Sequence, residues 1–220
     1  AFGAFWGTIP DGVYQTDTYW NNMKAGKLLD VPIMTGFTNN EFFTAPQAED
    51  PDALKKEAEE KFGDRAQEYL DLVHAENGLE AAKDGLVSSV ELGIRRMCSL
   101  LEKAGAKQPC YVYEFGPEIP GEDNPGAFHS SDLWFFFETL AKCWRPFTGK
   151  HYDLARQMCN YWAEFMKKGD PNGADADGTP MEKWEAFLEE KPAVMTFFDS
   201  PRAQVKPEDE VTAFLMDVTT

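Results

Sequence analysis

Two side chains in this sequence have the types and the setting for proton-transfer chemistry. Glu41 ends the loop TNNE that follows a strand-like run, VPIMTG at 31–36. His129 ends the loop that follows a second strand-like run, YVYEF at 111–115, and closes on PGAFH. A carboxylate that accepts the Nδ1–H of an imidazole fixes the ring's tautomer and stabilises the imidazolium formed when the ring takes a proton. An acid and then a histidine, each on a loop leaving a strand, are the second and third members of a nucleophile–acid–histidine triad. The first member, a serine in a Gly-x-Ser-x-Gly elbow, occurs nowhere in the sequence. Ser88 and Ser89 fall inside a long helical pattern without flanking glycines, and Ser130 and Ser131 fit a helix start. The expectation is therefore an acid and a base without their nucleophile, a loss of several orders of magnitude in rate for these residues alone.

Other chemistry is poorly supported. The stretch DPNGADADG carries Asp170, Asn172, Asp175 and Asp177, but its spacing fails the calcium-loop pattern and no glutamate closes it, so it reads as a surface turn. His74 and His151 lack partners at metal spacing and read as helix-surface residues. Cys98, Cys110, Cys143 and Cys159 form no CxxC pair, which excludes a zinc ribbon and a thioredoxin-like motif. They read as buried thiols in preference to disulfides. No cofactor or metal is called for.

For Glu41 and His129 to meet across 88 residues, the strands before them must lie side by side and parallel, so that both loops leave the same edge. The short apolar run from Val31 to Met34 reads as a strand buried on both faces, and Cys110 to Phe115 as a second, rich in aromatic and β-branched residues. Ala193 to Phe198 is a third. Helical patterns lie between them. Asp50 before Pro51 predicts an N-cap, Leu54, Ala58 and Phe62 a helix, and Gly63 its stop. Asp64 with Gln67 predicts a capping box for a short helix carrying Tyr69, Leu70 and Val73. Leu79, Ala82, Leu86, Val90, Ile94, Met97 and Leu101 predict a long helix that Gly105 ends. After the Pro- and Gly-rich loop at 116–126, Asp132 opens a helix through the aromatic run Trp134 to Phe137, which reads as core packing in preference to a pocket lining. The clearest helix runs from about 151 to 168, with Leu154, Met158, Tyr161, Trp162 and Phe165 on one stripe and Lys167, Lys168, Gly169 and Pro171 as its stop. A short helix near Val211 to Leu215 closes the chain.

Strands separated by long helical runs predict an α/β fold, a doubly wound parallel sheet covered by helices. Only about three core strands are legible, which describes one end of a larger sheet with an edge left unpaired. An exposed edge and uncovered apolar surface predict self-association of the isolated chain. At 220 residues the chain is long enough for a sizeable core. A net charge of −17 argues against nucleic acid as a partner, because phosphate binding needs clustered Lys and Arg, and disfavours anionic membrane surfaces. No apolar run approaches the roughly 20 residues of a membrane-spanning helix.

Five segments together resemble the C-terminal part of a type B carboxylesterase, the cholinesterase and para-nitrobenzyl esterase-like branch of the α/β-hydrolases. They are IPDGVY (9–14), DVPIMTGFTNNE (30–41), YVYEF (111–115), PGAFHSSDLWFFF (125–137) and YWAEFMKKGDPNG (161–173), in the family's order. The resemblance implies that Glu41 is the triad acid and His129 the general base. It also implies that residues 1–220 are the C-terminal portion of the hydrolase domain, the nucleophile and the glycine-rich oxyanion loop belonging upstream of Ala1. The family usually has Asp-Glu-Gly at the acid, whereas here Asn40 precedes and Phe42 follows. Asp132 stands where the family has an acidic residue after the histidine, which implies support or capping. The expected partners are a small-molecule ester and the missing N-terminal part of the same hydrolase. The rival expectation is a cholinesterase-like adhesion or binding protein that has lost catalysis; retention of both Glu41 and His129 favours the enzyme.

Overall fold

A computed structural model of the chain describes residues 9–41, 48–78 and 87–218. Four strands form one sheet in the order β1 (Ile33–Thr38), β2 (Cys110–Phe115), β3 (Ala193–Phe197) and β4 (Pro201–Val205). The first three are parallel, and β4 returns antiparallel on the edge of β3. Among the described residues seven α-helices accompany them: α1 (Tyr19–Lys24), α2 (Pro51–Phe62), α3 (Ala66–Leu72), α4 (Ser89–Lys103), α5 (Leu133–Phe136), α6 (Gly149–Lys168) and α7 (Glu210–Val218). Helices cover both faces of the sheet, the doubly wound arrangement that the alternation of strands and helices predicts.

The alternation of side chains along β2 shows how each face is filled. Tyr111, Tyr113 and Phe115 point to one face and join Met195 and Phe197 of β3 against Leu154, Met158 and Tyr161 of α6 and the buried Trp184. Cys110 and Val112 point to the other face and join Phe37, Val194 and Phe187 against Ile94 and Cys98 of α4. All six β2 residues are buried, as a central strand requires. A third cluster, from α2, α3 and α7, stands apart around Leu54, Tyr69 and Phe214.

Several local expectations hold. The Asp50 carboxylate accepts from the Ala53 N–H ahead of Pro51, and Gly63 ends α2 with a positive φ. Gly169 caps α6 in the left-handed region, donating to the Phe165 carbonyl at 2.7 Å. Others are corrected. β1 is only half-buried over most of its length, because it lies at the end of the sheet, with only β2 beside it among the described residues. Asp64 and Gln67 make no capping box. A 3-10 turn over Gly63–Arg65 feeds α3 without a side-chain cap, and Gln67 donates to Asp71 instead. Residues 79–86 of the expected long helix lie outside the described residues, as does Phe42. α4 begins at Ser89, and Ser88 is its N-cap, with its hydroxyl accepting from the Val90 N–H. His151 is buried, not on a helix surface: its Nδ1 accepts from the Thr148 N–H at 3.0 Å and its Nε2 lies 3.2 Å from the Glu118 carbonyl. β4 was invisible in the sequence because its exposed, polar PRAQV has no apolar alternation.

Candidate functional site

The site lies where β1 and β2 end. Their register is flush, Ile33 opposite Cys110 through to Thr38 opposite Phe115, so the two exit loops start level with each other. Beyond the strands the loops remain joined. The Asn39 N–H donates to the Phe115 carbonyl at 2.8 Å, and Asn40 forms a parallel bridge with Phe128. The Asn40 N–H donates to the Ala127 carbonyl at 3.0 Å, and its side-chain oxygen accepts from the Ala127 N–H at 2.9 Å. Asn40 thus pins the residue two positions before His129 from both sides. Gly126 makes room for it: its φ is +61°, and a Cβ there would stand 2.4 Å from the Asn40 side-chain oxygen.

Next in the chain, Glu41 is buried and both its carboxylate oxygens are engaged. Oε1 accepts from the Thr38 N–H at 2.7 Å, and Oε2 lies 2.5 Å from His129 Nδ1. An ionised carboxylate only accepts hydrogen bonds, so Nδ1 carries the proton of this contact. The two side chains differ sharply in exposure. That of Glu41 is 5% accessible and that of His129 is 61%, so the acid sits beneath the ring while the ring faces outward. Such a carboxylate holds an imidazole in one tautomer and offsets positive charge on it.

Supports surround the pair. The loop that delivers His129 is fastened by Arg145, whose guanidinium donates to the Pro120 carbonyl at 3.0 Å and to both Asp123 oxygens at 3.0 and 2.8 Å. That guanidinium holds the Asp123 carboxyl below its usual range. It also packs 5.6 Å from the Phe128 ring. Beneath the site, the Tyr113 hydroxyl donates to Asp132 Oδ2 at 2.9 Å. Burial pushes the Asp132 carboxyl up, the Tyr113 hydrogen bond opposes the shift, and the charge of Glu41 adds to it. Burial and the neighbouring Asp132 charge push the Tyr113 phenol up as well. The Tyr113 ring lies across β1 at Gly36, where a Cβ would come within 2.3 Å of it.

Asp132 therefore acts as support, not as a cap: it occupies the N-cap position of α5 without a capping hydrogen bond. Ser130 and Ser131 are not caps either. Ser130 takes a left-handed φ of +67°, and the Ser131 hydroxyl is buried with no hydrogen-bond partner among the described residues. The aromatic run divides as α5 turns. Phe135 and Phe136 are buried, with Phe136 stacked on Trp162 at 3.8 Å, whereas Phe137 is 70% exposed. In the turn region, Asp175 pairs with Arg156 and Asp177 accepts from the Thr179 N–H. No cluster of three metal-ligating side chains occurs among the described residues, and none of the described helices is long and apolar enough to cross a membrane. Asn40 and Arg145 were missed by sequence reasoning, because nothing in their spacing marks a loop tie. A family-typical Asp at position 40 is the one signal that pointed there.

The family model described as "Carboxylesterase family" matches residues 4–215. Carboxylesterase 5A of Canis lupus familiaris is 31% identical over 118 residues, 49% of this chain and 19% of that protein. Carboxylesterase 4A of Bos taurus is 33% identical over 91 residues, 37% of this chain and 16% of that protein. The aligned segments thus span less than a fifth of these relatives. Among solved structures, a PNB esterase superposes with a TM-score of 0.64 at 19% identity, over 95% of this chain and 43% of that one. An esterase from anaerobic Clostridium hathewayi, titled as able to hydrolyse aliphatic aromatic polyesters, gives a TM-score of 0.50 at 21% identity, over 85% of this chain and 37% of that one. These two likenesses concern the α/β-hydrolase fold.

Proposed function

Since this chain belongs to the carboxylesterase family, we propose that Glu41 and His129 are the acid and the general base of a serine carboxylesterase. The full protein hydrolyses carboxylic esters through an acyl-enzyme. The observation that carries the proposal is the 2.5 Å contact between His129 Nδ1 and a buried Glu41 whose other oxygen is held by the Thr38 N–H. With Nδ1 committed to Glu41, Nε2 takes the proton of a serine hydroxyl as its oxygen attacks the ester carbonyl. The same nitrogen returns that proton to the departing alcohol. Water then repeats the sequence on the acyl-enzyme, and Glu41 offsets the imidazolium charge in both halves.

The nucleophile and the oxyanion donors are assigned to another part of the same protein, for which residues 1–220 supply the C-terminal portion of the hydrolase domain. In support, none of the six serines has the flanking glycines of an elbow, and the superposed PNB esterase is matched over 43% of its length. The substrate class is a small carboxylic ester.

The test is hydrolysis of a para-nitrophenyl ester by the full-length protein and its variants. His129→Ala should lower kcat by roughly 10³–10⁶-fold, and Glu41→Gln, which spoils the tautomer while keeping the shape, by roughly 10⁴-fold. Undiminished turnover in His129→Ala removes His129 from the mechanism. A folded full-length protein with no esterase activity instead supports the adhesion alternative.

A further inference from the structure

Two cysteines that the proposed mechanism does not use lie together on the opposite side of the sheet from α6. Cys98 is in the third turn of α4 and Cys110 is the first residue of β2. Both are buried, and their sulfur atoms are 3.2 Å apart, with the Cys98 thiol donating to Cys110. The backbone around them is held on several sides. The Phe187 N–H donates to the Cys110 carbonyl at 2.8 Å, and the Ile33 N–H donates to Pro109 beside it at 2.9 Å. The connection from α4 turns at Gly105 with a φ of +78°, and the Asp30 carboxylate receives the Lys107 and Gln108 N–H groups. A cavity of about 240 Å³ is lined by both cysteines, with Leu29, Val31, Leu101 and Phe187 among its walls. The pair is therefore next to space that a small reagent can enter.

We propose that Cys98 and Cys110 are an oxidation site, forming an intrachain disulfide that ties α4 to the head of β2 when the protein meets a small-molecule disulfide. A disulfide needs its sulfurs about 2.0 Å apart, so the pair, at 3.2 Å, has about 1 Å to close. The chemistry is two exchange steps. A cysteine thiolate attacks one sulfur of the reagent, that S–S bond breaks, and one small thiolate leaves with the electron pair and takes up a proton. The second cysteine, having lost its proton to solvent, attacks the mixed disulfide and releases the second small thiol. Two electrons and two protons pass in total from the cysteines to the reagent. The contact with Cys110 and burial push the Cys98 thiol up, so the exchange is favoured by alkaline solution. The new bond lies at the start of β2, at the far end of the strand from the Glu41–His129 contact, and it stiffens the scaffold without entering that site.

The test is oxidation of the folded full-length protein with 2-hydroxyethyl disulfide at mildly alkaline pH. Remaining thiols are then alkylated and the peptides mapped without reduction. The expected product is a single internal cross-link between the peptides carrying Cys98 and Cys110, absent from Cys98→Ala. Because the closed loop is short, thermal unfolding should move up by roughly 5–10 °C and return on reduction. The same oxidation in urea, where the geometry is lost, should scatter the pairing among Cys98, Cys110, Cys143 and Cys159. The proposal is overturned if Cys98 and Cys110 are both recovered alkylated from the oxidised native chain. Pairing of either with Cys143 or Cys159, or a midpoint that oxidation leaves unmoved, overturns it equally.

Discussion

Replacing Asn40 by alanine tests the claim that the two site loops are held by one side chain. The substitution removes the oxygen that accepts from the Ala127 N–H at 2.9 Å, while the Asn40 N–H to Ala127 carbonyl bond at 3.0 Å can persist. Ala127 is buried, so its N–H loses its partner where water has little access. A buried donor left unsatisfied costs about 1–3 kcal/mol. The space vacated over Gly126 lets some water in, which draws the expectation to the lower half of that range. With a urea m-value near 2 kcal/mol/M, the unfolding midpoint of the chain should fall by about 0.5–1 M. Asn40→Asp retains the accepting oxygen and should lie closer to the wild-type midpoint than alanine does. Circular dichroism and tryptophan fluorescence give the unfolding curves. Proton NMR then locates the effect, because only three histidines must be assigned. The low-field proton between His129 Nδ1 and Glu41 should broaden or vanish in Asn40→Ala under native conditions. If Asn40→Ala unfolds within about 0.3 kcal/mol of wild type and keeps that proton, side-chain stitching by Asn40 is not what brings the loops together.

Three further outcomes follow from the same coordinates. Gly36→Ala places a Cβ 2.3 Å from the Tyr113 ring; the ring or β1 must shift, so thermal unfolding should show a loss of about 1–3 kcal/mol or more, and an unchanged midpoint would mean that Tyr113 does not lie across Gly36. Asp132 has its folded pKa raised above 3.8, so the folded state holds this proton more tightly than the unfolded chain; its contribution to stability is present in acid and fades as pH rises through the raised value. Asp132→Asn should therefore gain stability relative to wild type as pH rises above the ordinary carboxylate range in paired urea titrations, and parallel curves would contradict the assignment. The outer edge of β1 has no strand beside it among the described residues, and Phe137 and Trp144 are exposed; light scattering on the isolated chain at micromolar concentration should report self-association, and a monodisperse monomer would count against it.

The parts of the fold that were legible in the sequence are those where one local signal and burial agree. β2 and β3 are mostly apolar, and buried over their full length, because they are central, and α6 shows an uninterrupted stripe because one face packs on them. Glu41 and His129 stood out because each ends a loop that follows a strand-like run, although β1 is a half-buried end strand and only β2 is central. What stayed hidden depends on partners distant in sequence. β4 is polar and exists because β3 offers it hydrogen bonds. α1 is a six-residue helix capped by Thr18 in a stretch that reads as loop. Arg145 looks like any surface cation until the loop at 116–126 folds back onto it, and His151 looks solvent-facing until Glu118 covers its Nε2. Ser88 was misplaced because apolar periodicity continues upstream of it, whereas its hydroxyl competes for backbone N–H groups and starts a helix better than it extends one.

The flush pairing of β1 with β2 has one more consequence. Parallel pairing makes the described stretches 48–78 and 87–109 part of a crossover: the chain departs beyond the C-terminal end of β1, builds α2, α3 and α4, and re-enters the sheet at Cys110, level with Ile33 at the opposite end of β1. Its two ends are fixed by the sheet, so its length is unconstrained by the dyad. α4 is bound to the sheet through Ile94 and Cys98 and to the α2–α3–α7 cluster through Leu92, so an engineer who grafts a new cap between α2 and α3 must leave α4 seated for the proton-handling pair to stay in register.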